Sequence, residues 1–178
     1  MSLNSFSFRP PVTEDLPALA DIFNHEITTS TRTFRAHPVD LANRQAWLED
    51  IQKEQYPCLV IVHSREGGTN GESQLFNIVG WCNLSRYRTQ EAYNATAEIS
   101  LYIHQNFRGL GLGSQIFELI LAEARIRGYR TILAMVAMEN TLNARFWEKH
   151  GFQQRGILRD VGMKFDRWLD IGVYQLMV

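Results

Sequence analysis

One stretch limits the fold more than any other: residues 97–114, Ala-Glu-Ile-Ser-Leu-Tyr-Ile-His-Gln-Asn-Phe-Arg-Gly-Leu-Gly-Leu-Gly-Ser. Its first half alternates polar and apolar side chains, as a half-buried strand does. Gly109, Gly111 and Gly113 then permit backbone turns that a Cβ would forbid. Ile116, Leu119, Ile120 and Ala124 follow at helical spacing. A strand that passes through bare backbone into a helix N-terminus presents unsatisfied N–H groups and a partial positive charge, which together suit a pyrophosphate. Arg108 stands at the mouth of this turn as a fixed cation.

Three phosphate-binding patterns compete for the segment, beside the plainer reading of a glycine-rich helix cap. A P-loop requires Gly-Lys-[Ser/Thr], whereas Gly113 is followed by Ser114 and Gln115. A dinucleotide fingerprint requires Gly-x-Gly-x-x-Gly/Ala. Gly109 and Gly111 fit it, but position 114 is Ser and the strand expected over 131–137 carries no acidic residue. The third pattern, Arg-x-x-Gly-x-Gly, is met in full by Arg108, Gly111 and Gly113.

Around this segment, strand periodicity marks residues 5–9, 59–63, 76–84, 95–104, 131–137, 152–158 and 169–177. Helical periodicity marks a run after Thr13, which reads as its N-cap, a run opened by Asp40, and residues 140–150, stopped by Gly151. The Gly-rich 66–73 segment reads as a surface connection between strands. Helices interleave with strands that are often adjacent in sequence, so an α/β fold on a mixed sheet is expected. The 178 residues fit a single domain, 1–178.

Lys+Arg total 18 against 19 Asp+Glu, so the basic excess of a dedicated nucleic-acid binder is missing. The apolar run 132–138 is far short of the ~20 residues that span a bilayer, and the N-terminus lacks the basic and apolar regions of a signal peptide. Cys58 and Cys82 lie in apolar runs and read as buried thiols of a reducing compartment. The five histidines are scattered without metal-ligand spacing. The expectation is a cytoplasmic protein without metal, nucleic acid or membrane partner.

Arg108-Gly-Leu-Gly-Leu-Gly113 after a strand resembles the acetyl-CoA pyrophosphate loop of the GNAT superfamily of N-acetyltransferases. The block from Glu139 to Phe152 resembles the family's later helix–strand segment, with Asn140, Ala144, Glu148, Gly151 and Phe152 in the expected places. Phe34 in Thr31-Arg-Thr-Phe34, Arg86-Tyr-Arg88, Ala92-Tyr93, Glu98–Tyr102 and Gly162–Asp170 are similar to blocks of the phosphinothricin/methionine sulfoximine N-acetyltransferase group.

The resemblance implies a GNAT fold: a central mixed, mostly antiparallel sheet, split at one point to admit acetyl-CoA, with helices on both faces. It implies that Arg108, Gly109, Leu110, Gly111, Leu112, Gly113 and Ser114 hold the pyrophosphate, and that Leu101, Tyr102 and Ile103 pair with the pantetheine arm. An N–H of that strand would polarise the thioester carbonyl. Asn140 reads either as a cofactor contact or as a plain N-cap, and Lys149 as a cofactor contact or a solvated helix end.

Acetylating an amine also requires removal of a proton from the ammonium. Glu98 shares a strand face with Ser100 and Tyr102 and is expected to act as general base through a water. The plainer alternative is an ion-paired glutamate on an edge strand. Arg86 or Arg88 would hold a substrate carboxylate, beside Phe34 and Ser100; the alternatives are two solvated loop arginines and a core phenylalanine. Trp147 stands where many family members have a tyrosine that protonates the leaving thiolate, and an indole has no proton to offer at useful pH. The substrate class implied is a small amino-acid-like amine, and the assembly a homodimer joined through the last strands. An acetyltransferase for a protein N-terminus or another amine, and a non-enzymatic acyl-CoA-binding module, are the rival readings.

Overall fold

The computed structural model describes residues 5–64 and 76–178; the 66–73 connection lies outside the described residues. The chain runs β1 (Phe6–Arg9), α1 (Leu16–Thr29), α2 (Leu41–Lys53), β2 (Cys58–Ser64), β3 (Phe76–Arg86), β4 (Thr96–Ile103), α3 (Leu112–Ile126), β5 (Thr131–Ala137), α4 (Thr141–Lys149), β6 (Gln153–Lys164) and β7 (Arg167–Met177). The strands form one seven-stranded sheet in the order β1-β2-β3-β4-β5-β7-β6. Neighbouring strands are antiparallel except for β4 and β5.

Strand alternation sends side chains to two covered faces. On one, Leu19, Ile22, Phe23 and Ile27 of α1 and Leu48 of α2 pack against Val60, Val62 and Trp81. On the other, Ile116, Phe117 and Ile120 of α3 and Trp147 of α4 pack against Ile61, Cys82, Leu84, Ala97, Ile99 and Ile132. Leu19, Ile116 and Phe117 are wholly removed from solvent, and each such side chain stabilises the fold by about 1.5–3 kcal/mol. Both cysteines are buried and free, and burial pushes their thiols well above the ordinary range.

The feature that builds the site is the parting of β4 and β5. The two pair only over Thr96–Glu98 and Thr131–Leu133. Beyond Glu98, β4 stays with β3 through Ile103↔Gly80, while β5 stays with β7 through Ala137↔Ile171. A wedge therefore opens in the middle of the sheet, and the β5-facing edge of β4 has no strand partner past Glu98 among the described residues.

Local signals explain most boundaries. Asp40 caps α2, its Oδ1 accepting from Asn43 N at 2.8 Å. Gly128 and Gly151 take left-handed φ of 75° and 85° after α3 and α4. Thr13 is not the N-cap of α1. Thr13–Asp15 form a 3₁₀ turn, because the Asp15 carboxylate accepts both Arg9 guanidinium nitrogens at 2.7 Å and Val12 N at 2.9 Å. The last hairpin is longer than periodicity suggests. Strand β6 continues to Lys164, and the turn uses Phe165 and Asp166 at φ of 53° and 56°, positive angles with no glycine to announce them.

Candidate active site

Side chains of β4 divide between two tasks. Leu101 and Ile103 point to the α3 face and join its core. Glu98, Ser100 and Tyr102 point the other way, as alternation requires. Tyr102 stacks on Trp81 with ring centroids 4.7 Å apart and meets Phe23 edge-on at 5.1 Å.

Two cavities meet across this strand. The first, of about 470 Å³, follows the glycine turn. Gly109 and Gly111 adopt φ of 77° and 78°, and Gly111 serves as the left-handed N-cap of α3 with no capping side chain. The first N–H groups of α3 therefore face the cavity without an intrahelical partner. A Cβ at Gly109 would meet nothing within 4 Å, whereas one at Gly113 would lie 3.3 Å from Ile103 Cδ1 and Phe146 Cε2. The first glycine is needed for its φ; the third is needed so that α3 can start against β4 and α4. Leu101, Tyr102, Ile103, Arg108, Leu112, Ser114, Asn140 and Lys149 line the same cavity, but Leu110 does not.

Asn140 does act as a helix cap. Its Oδ1 accepts from Asn143 N at 3.3 Å and caps α4. Its Nδ2 is buried with no partner among the described residues, and the residue lines the cavity. Bare helix N–H groups, an orphaned amide donor and Lys149 form a set that fits a long ligand carrying carbonyls and phosphates.

Arg108 does not stand free at the mouth. Its Nε donates to Ile103 O at 3.0 Å and its guanidinium pairs with Glu26. Glu26, only 1% exposed, also accepts from Arg32 at 3.0 Å and from Ser30 Oγ at 2.7 Å. Burial pushes its carboxyl up, but the Ser30 and Arg32 hydrogen bonds and the charges of Arg108 and Arg32 more than offset this and hold it below the ordinary range.

The second cavity, of about 360 Å³, is lined by Glu98, Ser100, Phe34, Thr33, Arg32, Met135, Asn143, Trp147 and Ile171, among others. It shares Arg32, Leu101, Tyr102 and Asn143 with the first, so the two adjoin where β4 leaves β5. Glu98 sits at the last paired position. Its carboxylate has no hydrogen bond or ion pair among the described residues, and burial holds it above the ordinary carboxylate range. The expected alternative of an ion-paired surface glutamate is thereby removed. Trp147 is 3% exposed and wedged among Phe117, Phe146 and Phe152.

Arg86 and Arg88 do not join Glu98 within this chain. The register pairs Ser85 with Glu98 and Arg86 with Ala97, so Arg86 leaves the sheet on the opposite face, where it bonds Glu54 at 2.8 Å. Arg88 lies over the Tyr87 ring at 5.1 Å and is exposed. In their place stands Arg32, a residue that periodicity passes over because it lies in the polar connection between α1 and α2. Its partner Glu26 did carry a signal: a carboxylate on the apolar stripe Leu19, Ile22, Phe23, Ile27 of α1 needs a buried partner. Among the described residues, no group of three His, Cys, Asp or Glu side chains could hold a metal ion, and no helix is long and apolar enough to cross a membrane.

Comparison with known proteins agrees with this geometry. The L-methionine sulfoximine/L-methionine sulfone acetyltransferase of Pseudomonas aeruginosa is 33% identical over 97% of this chain and 94% of its own length. The phosphinothricin N-acetyltransferase of Streptomyces viridochromogenes is 31% identical over 94% of this chain and 85% of its own. The solved structure of yncA from Salmonella typhimurium with its cofactor acetyl-CoA superposes with a TM-score of 0.85 at 29% identity, covering 97% of this chain and 93% of that one. The profile of the acetyltransferase (GNAT) family matches residues 19–152. With a split sheet, a bare helix N-terminus at the split and that match over most of its length, the chain belongs to the acetyltransferase (GNAT) family.

Proposed function

We propose that this protein moves the acetyl group of acetyl-CoA to the α-amine of a small amino-acid-like substrate, of the phosphinothricin, methionine sulfoximine or methionine sulfone type. The observation that carries the reading is the position of Glu98: an unpaired, half-buried carboxylate where β4 and β5 part, in a cavity adjoining the one lined by the glycine turn. The P. aeruginosa and S. viridochromogenes relatives support the substrate class.

Acetyl-CoA supplies an activated acyl carbon as a thioester. The N–H groups of Leu112, Gly113 and Ser114 and the Lys149 ammonium hold its diphosphate, Asn140 Nδ2 meets a carbonyl of its arm, and the unpaired edge of β4 at Leu101–Ile103 binds the arm as an added strand would. Glu98 takes the proton from the ammonium through a water. The freed amine attacks the acyl carbon to form a tetrahedral oxyanion, which a backbone N–H of β4 stabilises. As it collapses the C–S bond breaks, the nitrogen loses its second proton, and the thiolate leaves. Trp147 has no proton to give, and burial pushes the Tyr102 phenol up to about 12. Neither is then a ready acid for the thiolate, which leaves solvent or another residue to protonate it.

Homodimerisation belongs to the same proposal. Strand β6 forms one edge of the sheet and exposes Leu158, Val161 and Met163, with Trp168 of β7 beside them. A long apolar edge of this kind is rarely left to solvent.

The test is release of free thiol from acetyl-CoA with a panel of amines. Turnover with methionine sulfone, methionine sulfoximine or phosphinothricin, and little with a polyamine or an N-terminal peptide, is expected. Turnover confined to the peptide or polyamine would replace the substrate class, and acetyl-CoA binding without turnover of any amine would make the protein an acyl-CoA-binding module.

A further inference from the structure

The cavity that holds Glu98 has a simple charge pattern. Of the described residues that line it, Glu98 is the only anion and Arg32 the only cation; the rest are apolar, hydroxyl or amide side chains. A zwitterion placed there would direct its ammonium to the carboxylate and its own carboxylate to the guanidinium. A plain amine would offer no acceptor to the donors that Arg32 leaves unused.

Arg32 is built to stay where it is. The connection that carries it is held on both sides by Lys164, whose Nζ donates to Ser30 O and Thr33 O at 2.8 Å. The Arg32 main-chain N–H bonds Ser30 Oγ at 3.2 Å. Its Nη1 bonds the buried Glu26 carboxylate at 3.0 Å. That contact uses one of the five N–H donors of a guanidinium, and it is the only side-chain bond of Arg32 among the described residues. Glu26 is shared with Arg108, so two guanidinium charges face one carboxylate and the cluster keeps a net positive charge. With 36% of its side chain exposed, Arg32 lines both cavities and keeps donors unused, in the planar fork that suits a carboxylate.

We propose that Arg32 is the substrate-binding residue that reads the α-carboxylate of the amine substrate, and so sets the preference for amino acids over other primary amines. The assignment rests on the functional reading above and moves the carboxylate contact from Arg86 or Arg88 to Arg32.

The experiment compares L-methionine sulfone with its α-carboxamide, as acetyl acceptors for the unaltered protein, Arg32→Gln and Arg32→Lys. The unaltered protein should prefer the acid in kcat/KM. Arg32→Gln should reduce that preference roughly 10- to 100-fold, the value of a hydrogen-bonded charge contact, through the KM of the acid. Arg32→Lys, which keeps the charge without the fork, should fall between. Each preference is a ratio measured on one protein sample, so a partly unfolded variant does not distort it. An unchanged acid-to-amide ratio in both variants, or an effect confined to the acetyl-CoA KM, would overturn the assignment while the acetyltransferase reading stands. Failure of the unaltered protein to acetylate either compound would overturn the amino-acid reading itself, and this assignment with it.

Discussion

Gly162 on β6 lies against the ring of Phe34: a methyl group at Gly162 would overlap Cδ1 and Cε1 of that ring. Phe34 lines the Glu98 cavity, so a glycine on the edge hairpin sets the position of a cavity wall that belongs to the α1–α2 connection. Gly162→Ala must push the ring aside, and overpacking of this kind costs about 1–3 kcal/mol. The expected result is a rise of roughly tenfold in the KM for the amine, with the acetyl-CoA KM unchanged. Steady-state kinetics with each substrate varied in turn checks it, and an unaltered amine KM would separate Phe34 from the substrate.

Glu98 gives the sharpest kinetic prediction. Glu98→Gln keeps the shape and removes the base, so kcat should fall by about 10²–10⁴-fold, while acetyl-CoA binding measured by calorimetry stays within about threefold. The base acts when deprotonated, so wild-type activity is lost as pH falls through the Glu98 pKa. Burial raises that pKa, which places the acid limb of the profile above the ordinary range near 4.3. The limb should vanish in Glu98→Gln. A similar limb in the variant would assign it to another group.

The fold and the placement of half of the candidate site residues could be read before the structure because their signals are local. Glycines with positive φ, an apolar stripe at helical spacing and period-two alternation act within a few residues, and β4, α3 and the turn between them lie where those signals put them. Asn140 was legible as a cap because its partner Asn143 is three residues away. The misplaced residues depend on register. Whether Arg86 or Ser85 faces Glu98 is decided by a pairing across the β3–β4 hairpin, and a one-residue shift reverses the answer. The cluster of Arg32, Glu26 and Arg108 forms only in the folded chain, since Glu26 meets Arg108 across 82 residues.

Glu26 ties stability to pH in a direction that can be worked out. Its folded pKa lies below the unfolded value, so its contribution is present above about pH 4.3 and is lost as pH falls through the depressed folded pKa. Removing Glu26 leaves Arg32 and Arg108 without their counter-charge, and because both guanidinium groups are about one-third exposed solvent screening keeps the cost below the ~3–5 kcal/mol of a fully buried pair. Glu26→Gln should therefore unfold at lower denaturant concentration at pH 7. The gap to the unaltered protein should narrow as pH drops below 4. Chemical denaturation at several pH values measures both, and a gap independent of pH would mean that Glu26 acts by packing alone.

Exposed apolar side chains on β6 set the last expectation. Val161 and Met163 are 49% and 60% exposed, and Trp168, paired across the hairpin with Met163, is 61% exposed. Strand β6 is an edge of the sheet, so these residues and its free backbone groups form one continuous surface, of the kind that stable dimers cover. Sedimentation should give a mass near twice the 20.6 kDa chain. Met163→Lys, which places a charge at the centre of the apolar row, should shift the protein toward monomer by tens-fold in Kd without lowering the thermal stability of the monomer, since no buried contact is lost. The α1–α2 connection is held to this same hairpin through Lys164 and Gly162. Dissociation should therefore also raise the amine KM, and should change the acetyl-CoA KM less, since the contacts of Lys164 and Gly162 do not include the glycine turn or α3, which line its cavity. A monomeric unaltered protein with full activity would show that the apolar edge serves neither assembly nor the site.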